Sequence, residues 1–298
     1  MWGIPMFGIR SKLQKRFGLY PQLKDKDGHV ARFLYKTKPA VRYGWGRKPA
    51  NKYFEREFKE RTPVFRVRLE RYARLAPFFS KVLRESDGTK MPYWKNRLLP
   101  VIDAVSICGM MEEFQPRRFV EIGSGNSTRF ACLAKELAPQ CEVISIDGFP
   151  GDTIAAFPDR MIKQRLQDAD LSIFGMLEAN DIVWMDGSHH CFSDTDVAAF
   201  FMDVMPSLVP GVIVGIHDIP LPWDYPPEWG STYFNELQVM AAYLVGGGKA
   251  IEYLLPAFYL NNIDMESRAI LDPIWGLPAL AAPLQEVTGG GAFWFKAP

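Results

Sequence analysis

The stretch Arg118-Phe-Val-Glu-Ile-Gly-Ser-Gly-Asn-Ser-Thr128 decides the reading of this chain. Three of its first five residues, Phe119, Val120 and Ile122, are apolar and β-prone, and the glycines behind them break any helix or strand. Such a run reads as a short strand, a tight turn and the start of a helix, here expected over 127–137. Two glycines let the backbone approach a ligand and leave the helix N-terminus open. The turn resembles a dinucleotide-binding loop, but Thr128 stands where that pattern has its third glycine.

Working outward, strands alternate with helices, as in a parallel α/β sheet. Further strands are expected at 141–146, 161–165, 181–185 and 212–216, with helices at 195–205 and 231–244. The runs 251–255 and 292–296 suit an antiparallel closing hairpin. Upstream, apolar residues from Phe54 to Phe79 recur at helical spacing, broken early by Pro63. Residues 96–111 read as a second, amphipathic helix with Pro100 in its first turn. The expected organisation is a basic N-terminal extension over 1–91, irregular and then helical, and a second unit over 92–298. The long connection 256–290, with Gly289-Gly-Gly291 as a hinge, is a candidate lid.

The net charge of +1 conceals an asymmetry: residues 1–72 hold 19 Lys and Arg against 6 Asp and Glu. A basic arm on an acidic remainder points to an anionic contact, either an external surface or the acidic body itself. Trp2, Ile4, Phe7, Leu13 and Phe17 are interleaved with Arg10, Lys12, Lys15 and Arg16 in the manner of an interfacial helix, a pattern that Pro5 and Gly8 weaken. The four cysteines lack paired spacing and read as small core residues of a cytoplasmic protein. No apolar run reaches membrane-spanning length.

In open α/β sheets ligands bind beyond the carboxyl ends of the strands. The residues there are Glu121 to Ser127, Asp147, Gln167 with Asp168, Asp186-Gly-Ser-His-His190, and His217-Asp218. Glu121 would repel a pyrophosphate and suits the ammonium of a methionine moiety. Asp147 can accept hydrogen bonds from both hydroxyls of a ribose, although Asp147-Gly148 also suits a plain turn. Three of the four histidines fall at two adjacent strand ends. A carboxylate, an imidazole and a second carboxylate there can bind a divalent metal. A further imidazole can take a proton.

The run Phe119 to Thr128 resembles the first motif of class I S-adenosylmethionine-dependent methyltransferases. The stretches 181–189, Asp196-Val197, 208–213 and 217–226, with Pro92-Tyr-Trp-Lys-Asn96 ahead of them, resemble a bacterial branch near the macrolide-sugar O-methyltransferases. The likeness covers about 92–262. It implies a Rossmann-like, mostly parallel sheet of seven strands with a closing antiparallel hairpin. It also implies S-adenosylmethionine held by Glu121, Gly123, Ser124, Gly125, Asn126 and Ser127, its ribose on Asp147, and its adenine facing Gln167 or Asp168. Asp186 would take magnesium and His189 would act as base, with His190 the next candidate. His217-Asp218 replaces an acidic pair. An imidazole in that position disfavours magnesium and leaves manganese, zinc or no metal open.

The acceptor expected is a small-molecule or sugar hydroxyl, with the aromatic loop Pro220 to Trp229 as a stacking face. Oxygen against nitrogen methylation and a homo-oligomeric state stay open. The competing readings are a nicotinamide-dependent oxidoreductase and a scaffold that binds the cofactor without turnover. Nucleic-acid methylation has only the basic arm in its favour.

Overall fold

The computed structural model describes residues 23–24, 30–31, 40–96, 98–280 and 289–298. The interfacial pattern at 2–17, His29 and part of the candidate lid lie outside these residues. Seven strands form the central sheet: β1 (Arg118–Ile122), β2 (Glu142–Ile146), β3 (Arg160–Ile162), β4 (Ile182–Met185), β5 (Ile213–Ile216), β6 (Glu252–Pro256) and β7 (Phe293–Lys296). Their spatial order is β3-β2-β1-β4-β5-β7-β6. The first five are parallel, and β7 runs antiparallel between β5 and β6. This is the expected Rossmann-like, mostly parallel seven-stranded sheet, closed by the antiparallel pair.

Sequence chemistry explains the central strands. Ile182-Val-Trp-Met185 and Ile213-Val-Gly-Ile216 are buried at every position, as strands covered on both faces should be. Gly215 is required by packing: a Cβ there would lie 2.6–2.7 Å from the Trp184 and Trp294 rings. Those indoles pack 5.0 Å apart.

Helix α1 (Lys52–Ala73) starts at Asn51, whose side chain accepts from Tyr53 N. It buries Phe54, Phe58, Phe65, Leu69 and Tyr72 along one stripe, within the same apolar core as the sheet. Its outward arginines meet acids of the body: Arg66 pairs with Asp264, Arg68 with Glu113 and Arg71 with Glu112. The segment before it docks on the loop after β5. Asp224 Oδ2 accepts from Tyr43 N at 2.9 Å, and Trp45 Nε1 donates to the Asp224 carbonyl at 2.7 Å.

The expected helix over 96–111 is corrected. Helix α2 spans Val101–Phe114 behind Pro100, and it is buried at every residue from Val101 to Met111. That run is therefore not amphipathic; its polar residues Asp103 and Ser106 point into the protein. Helix α3 (Asn126–Ala134) follows the Gly-rich turn. Helix α4 (Asp196–Ala199) continues as a π-helical turn through Val204. Helix α5 (Glu236–Gly247) begins five residues later than expected, since Tyr233 has φ 58° and Asn235 is not helical. Among the described residues no helix is long and apolar enough to cross a membrane.

Candidate functional site

Register alone assembles the site. Ile122 pairs with Ile146 and with Met185, and Met185 pairs with Ile216. The next residues, Gly123, Asp147, Asp186 and His217, therefore form one row beyond the strand ends. Backbone bonds hold that row: Gly123 N to Ile146 O, Asp186 N to Ile122 O and His217 N to Met185 O, each 2.9 Å. The strand order reverses between β1 and β4, where a ligand crevice is expected.

On the β1–β2 side, Gly123 has φ 79°, and a Cβ on it would lie 1.9 Å from the Asp186 carbonyl oxygen. Only glycine fits. Ser124 donates from its backbone N (2.9 Å) and its hydroxyl (2.6 Å) to Asp147 Oδ2. Phe149 N donates to Asp147 Oδ1 at 2.7 Å. Glu121 lies beneath the loop, fully buried. It accepts from the hydroxyls of Ser127 (2.5 Å), Thr128 (2.5 Å) and Ser145 (2.8 Å). Burial pushes its carboxyl up to about 7, although the three hydroxyls favour the ionised form. Gly125 and Asn126 sit at the start of α3.

Gln167 and Asp168 occupy a short turn after β3. Gln167 Nε2 donates to the Asp194 carbonyl at 2.8 Å, while its Oε1 is buried without a partner. Asp168 is exposed and paired with Arg165 at 2.6 Å.

On the β4–β5 side, Asp186, His217 and Asp218 each offer one ligand atom within 4.8 Å of the others. His217 Nδ1 lies 3.4 Å from Asp186 Oδ1 and 3.5 Å from Asp218 Oδ1. Two ligands about 2.1 Å from a tetrahedral ion stand roughly 3.4 Å apart, so this edge fits one. The donor set of one nitrogen and two carboxylates suits manganese or zinc better than magnesium. Burial pulls the His217 imidazole down, but the charges of Asp218 and Asp186 and the bond to Asp103 hold it well above its ordinary value. Burial pushes Asp186 up and the facing His217 outweighs it, leaving Asp186 lowered. Burial raises Asp218.

His189 joins this cluster. Its Nδ1 lies 2.7 Å from Glu236 Oε2, and its Nε2 lies 3.3 Å from Asp218 and 3.8 Å from Asp186. Burial opposes its charge, yet the Glu236 bond and the two aspartates lift it to about 9. At neutral pH Nε2 therefore already carries a proton, which it has to release before it can act as a base. His189 and Asp218 both have left-handed backbones, with φ 59° and 55°, conformations that cost non-glycine residues free energy and cluster at functional sites. His190 turns elsewhere: its Nε2 meets the Thr232 carbonyl at 2.8 Å, and its ring stacks on Phe192.

Two residues of the site were not visible in the sequence pattern. Glu236, wholly buried at the start of α5, fixes His189. Asp103 faces His217 from α2 at 3.1 Å. A lone acid in an otherwise apolar helical run was the available signal for Asp103. For Glu236, an acid opening a helix is ordinary, so no signal set it apart.

The aromatic loop after β5 is partly committed to packing. Trp223 stacks edge-on against Trp45 at 5.0 Å, and the Tyr225 hydroxyl accepts from Leu237 N at 3.1 Å. Beside it lies a cavity of about 470 Å³ lined by Arg42, Tyr43, Tyr225, Trp229 and Phe234, among others. The Phe234 ring is also 4.9 Å from the His189 ring.

A family model described as a methyltransferase domain matches residues 120–219, the span from β1 to just beyond β5. Among curated proteins nothing matches significantly. Solved structures similar to the chain include cofactor-bound Rv0187 from MTB, at 13% identity over 76% of this chain and 87% of that one, TM-score 0.40. Another is the O-methyltransferase TomG from Streptomyces achromogenes, solved with SAM, at 15% identity over 76% and 97%, TM-score 0.42. The O-methyltransferase from Bacillus cereus, solved with SAH, is 12% identical over 78% and 91%, TM-score 0.39.

Proposed function

We infer that this chain, a class I methyltransferase by its matched domain and strand order, moves the methyl group of S-adenosylmethionine to a hydroxyl of a small-molecule or sugar acceptor. The observation carrying this reading is the contact between Gly123 and the Asp186 carbonyl. It sets the loop suited to the cofactor directly against the cluster suited to the acceptor.

The residues present fit the cofactor. Asp147 reaches the loop at 2.9 Å and stands where a ribose would need an acceptor. Gln167 Oε1, buried and unpartnered, can receive an adenine amino group. Glu121 gives negative charge beneath the methionine end, and ionised it favours an ammonium.

In the reaction the acceptor oxygen attacks the methyl carbon in line with the carbon–sulfur bond. The new carbon–oxygen bond forms as the old bond breaks, and its electron pair returns to sulfur. The hydroxyl proton goes to His189 Nε2 once that nitrogen has released its own proton to solvent, and Glu236 aims the ring by holding Nδ1. A positioned base of this kind contributes typically ~10²–10⁴-fold. Asp186, Asp218 and His217 would hold a divalent ion, which when bound would lower the hydroxyl's pKa and offset the carboxylates facing His189. The cavity beside Phe234 offers faces for an acceptor ring. The 1–91 extension and the 256–290 connection, a candidate lid, are proposed as elements outside the transfer chemistry.

The test is turnover of S-adenosylmethionine against a panel of sugar and phenolic hydroxyl compounds. His189→Ala should lower kcat roughly 10²-fold or more with little change in cofactor affinity. Equal turnover by the variant would reject His189 as the base.

A further inference from the structure

Asp103 has no part in the reaction just described, yet it is the buried carboxylate bonded to the far side of the His217 ring. It is wholly buried on α2, the one acidic residue in the run Val101 to Met111. Three donors converge on it. Gly291 N donates to Oδ2 at 2.8 Å and Ala292 N to Oδ1 at 3.0 Å. The third is His217 Nε2, 3.1 Å from Oδ2.

A carboxylate offers only acceptors, so the nitrogen facing it carries the hydrogen. Nδ1, directed between Asp186 and Asp218, carries a hydrogen by the same rule in the ion-free site, and an ion bound there would displace that hydrogen alone. A ligating histidine whose other N–H is held by a carboxylate has its tautomer and ring orientation fixed, and its basicity raised. The wall of the ring is also fixed: Trp184 packs against His217 at 5.6 Å. On the other side, Ile219 N donates to the Gly291 carbonyl at 2.8 Å. The last strand, the metal-side loop and Asp103 thereby brace one another.

We propose that Asp103 is the positioning residue of a mixed nitrogen–oxygen metal site, holding His217 with Nε2 protonated so that Nδ1 ligates beside Asp186 and Asp218. The ion such a site takes is one that accepts imidazole, of the manganese-to-zinc series, in place of magnesium with its preference for oxygen. This rests on the reading of Asp186 and Asp218 as the acceptor-orienting site. It adds a residue that touches neither cofactor nor acceptor, and it names the class of ion.

The competing role for Asp103 is purely architectural, pinning the last strand through two amides. Spectroscopy separates the two. Full-length protein is titrated calorimetrically with manganese(II), and the bound ion is read by pulsed electron paramagnetic resonance. One bound ion coupled to a directly coordinated nitrogen is expected. In Asp103→Asn, manganese affinity should fall roughly 10–100-fold, while S-adenosylhomocysteine binds as in the wild type. Should that variant not fold, nitrogen NMR of the zinc-loaded wild type decides, with the His217 proton expected on Nε2. A bound ion without nitrogen coupling, unchanged affinity in the variant, or the proton on Nδ1 would overturn the proposal. Absence of any bound ion also overturns it, and the turnover assay with chelator then judges methyl transfer separately.

Discussion

Replacing Glu121 by glutamine should remove a specific pH dependence from the stability of the fold. Glu121 is fully buried, and its carboxyl is lifted from an ordinary 4.5 to about 7, chiefly by burial. A carboxyl with a raised folded value binds its proton more tightly when folded. The stability it contributes is full below the unfolded value and is lost as pH rises through about 7. At about 1.4 kcal/mol for each pH unit between the two values, the total loss is on the order of 3 kcal/mol, roughly 2–3 of it between about pH 5 and pH 8. Urea denaturation of wild type and Glu121→Gln across that range reads it as the difference between the two proteins. Taking the difference cancels the other titrating groups. Wild type should lose about 2–3 kcal/mol relative to the variant as pH rises, and saturating S-adenosylhomocysteine, whose ammonium favours the ionised form, should shrink that loss. Parallel curves would refute the placement of a high-pKa carboxyl beneath the loop.

Gly123→Ala puts a methyl group 1.9 Å from the Asp186 carbonyl on a backbone at φ 79°; calorimetry should show S-adenosylhomocysteine affinity reduced about 100-fold or more, as several kcal/mol of strain and clash require. Asp147→Ala removes the acceptor of two backbone N–H groups and one hydroxyl, so affinity should fall by about 1–3 kcal/mol; an unchanged value would remove Asp147 from the cofactor site. A chain beginning at Tyr53 loses the Asn51 cap, about 1 kcal/mol, and the Trp45 contacts. It should still bind S-adenosylhomocysteine, and loss of binding in a folded sample would make the 40–52 segment part of the site.

What the sequence made legible is the sheet. Ile182 to Met185 and Ile213 to Ile216 are short apolar runs ended by Asp186 and His217, and such runs can only be interior strands when helices flank them. The row of strand-end residues followed, because parallel strands of matched length bring their next residues to one level. The misplaced features share a different cause. Helix α2 looked amphipathic because Asp103 and Ser106 are polar, but both are satisfied inside: Asp103 by Gly291, Ala292 and His217, Ser106 by Trp294 Nε1 at 2.8 Å. Those partners lie 114 to 189 residues away, beyond the reach of local periodicity. Glu236 is similar, since its bond to His189 spans 47 residues. The late start of α5 reflects the left-handed Tyr233, a conformation no local pattern announced.

The reading as a whole turns on the cofactor. Calorimetric titration of the purified full-length chain with S-adenosylhomocysteine, with NAD run alongside, tests it most directly. One molecule of S-adenosylhomocysteine should bind per chain, with micromolar or tighter affinity, about −8 kcal/mol or below, and NAD should give no heat of binding. Binding of NAD with silence toward S-adenosylhomocysteine would contradict methyl transfer and return the Gly123 loop to a dinucleotide.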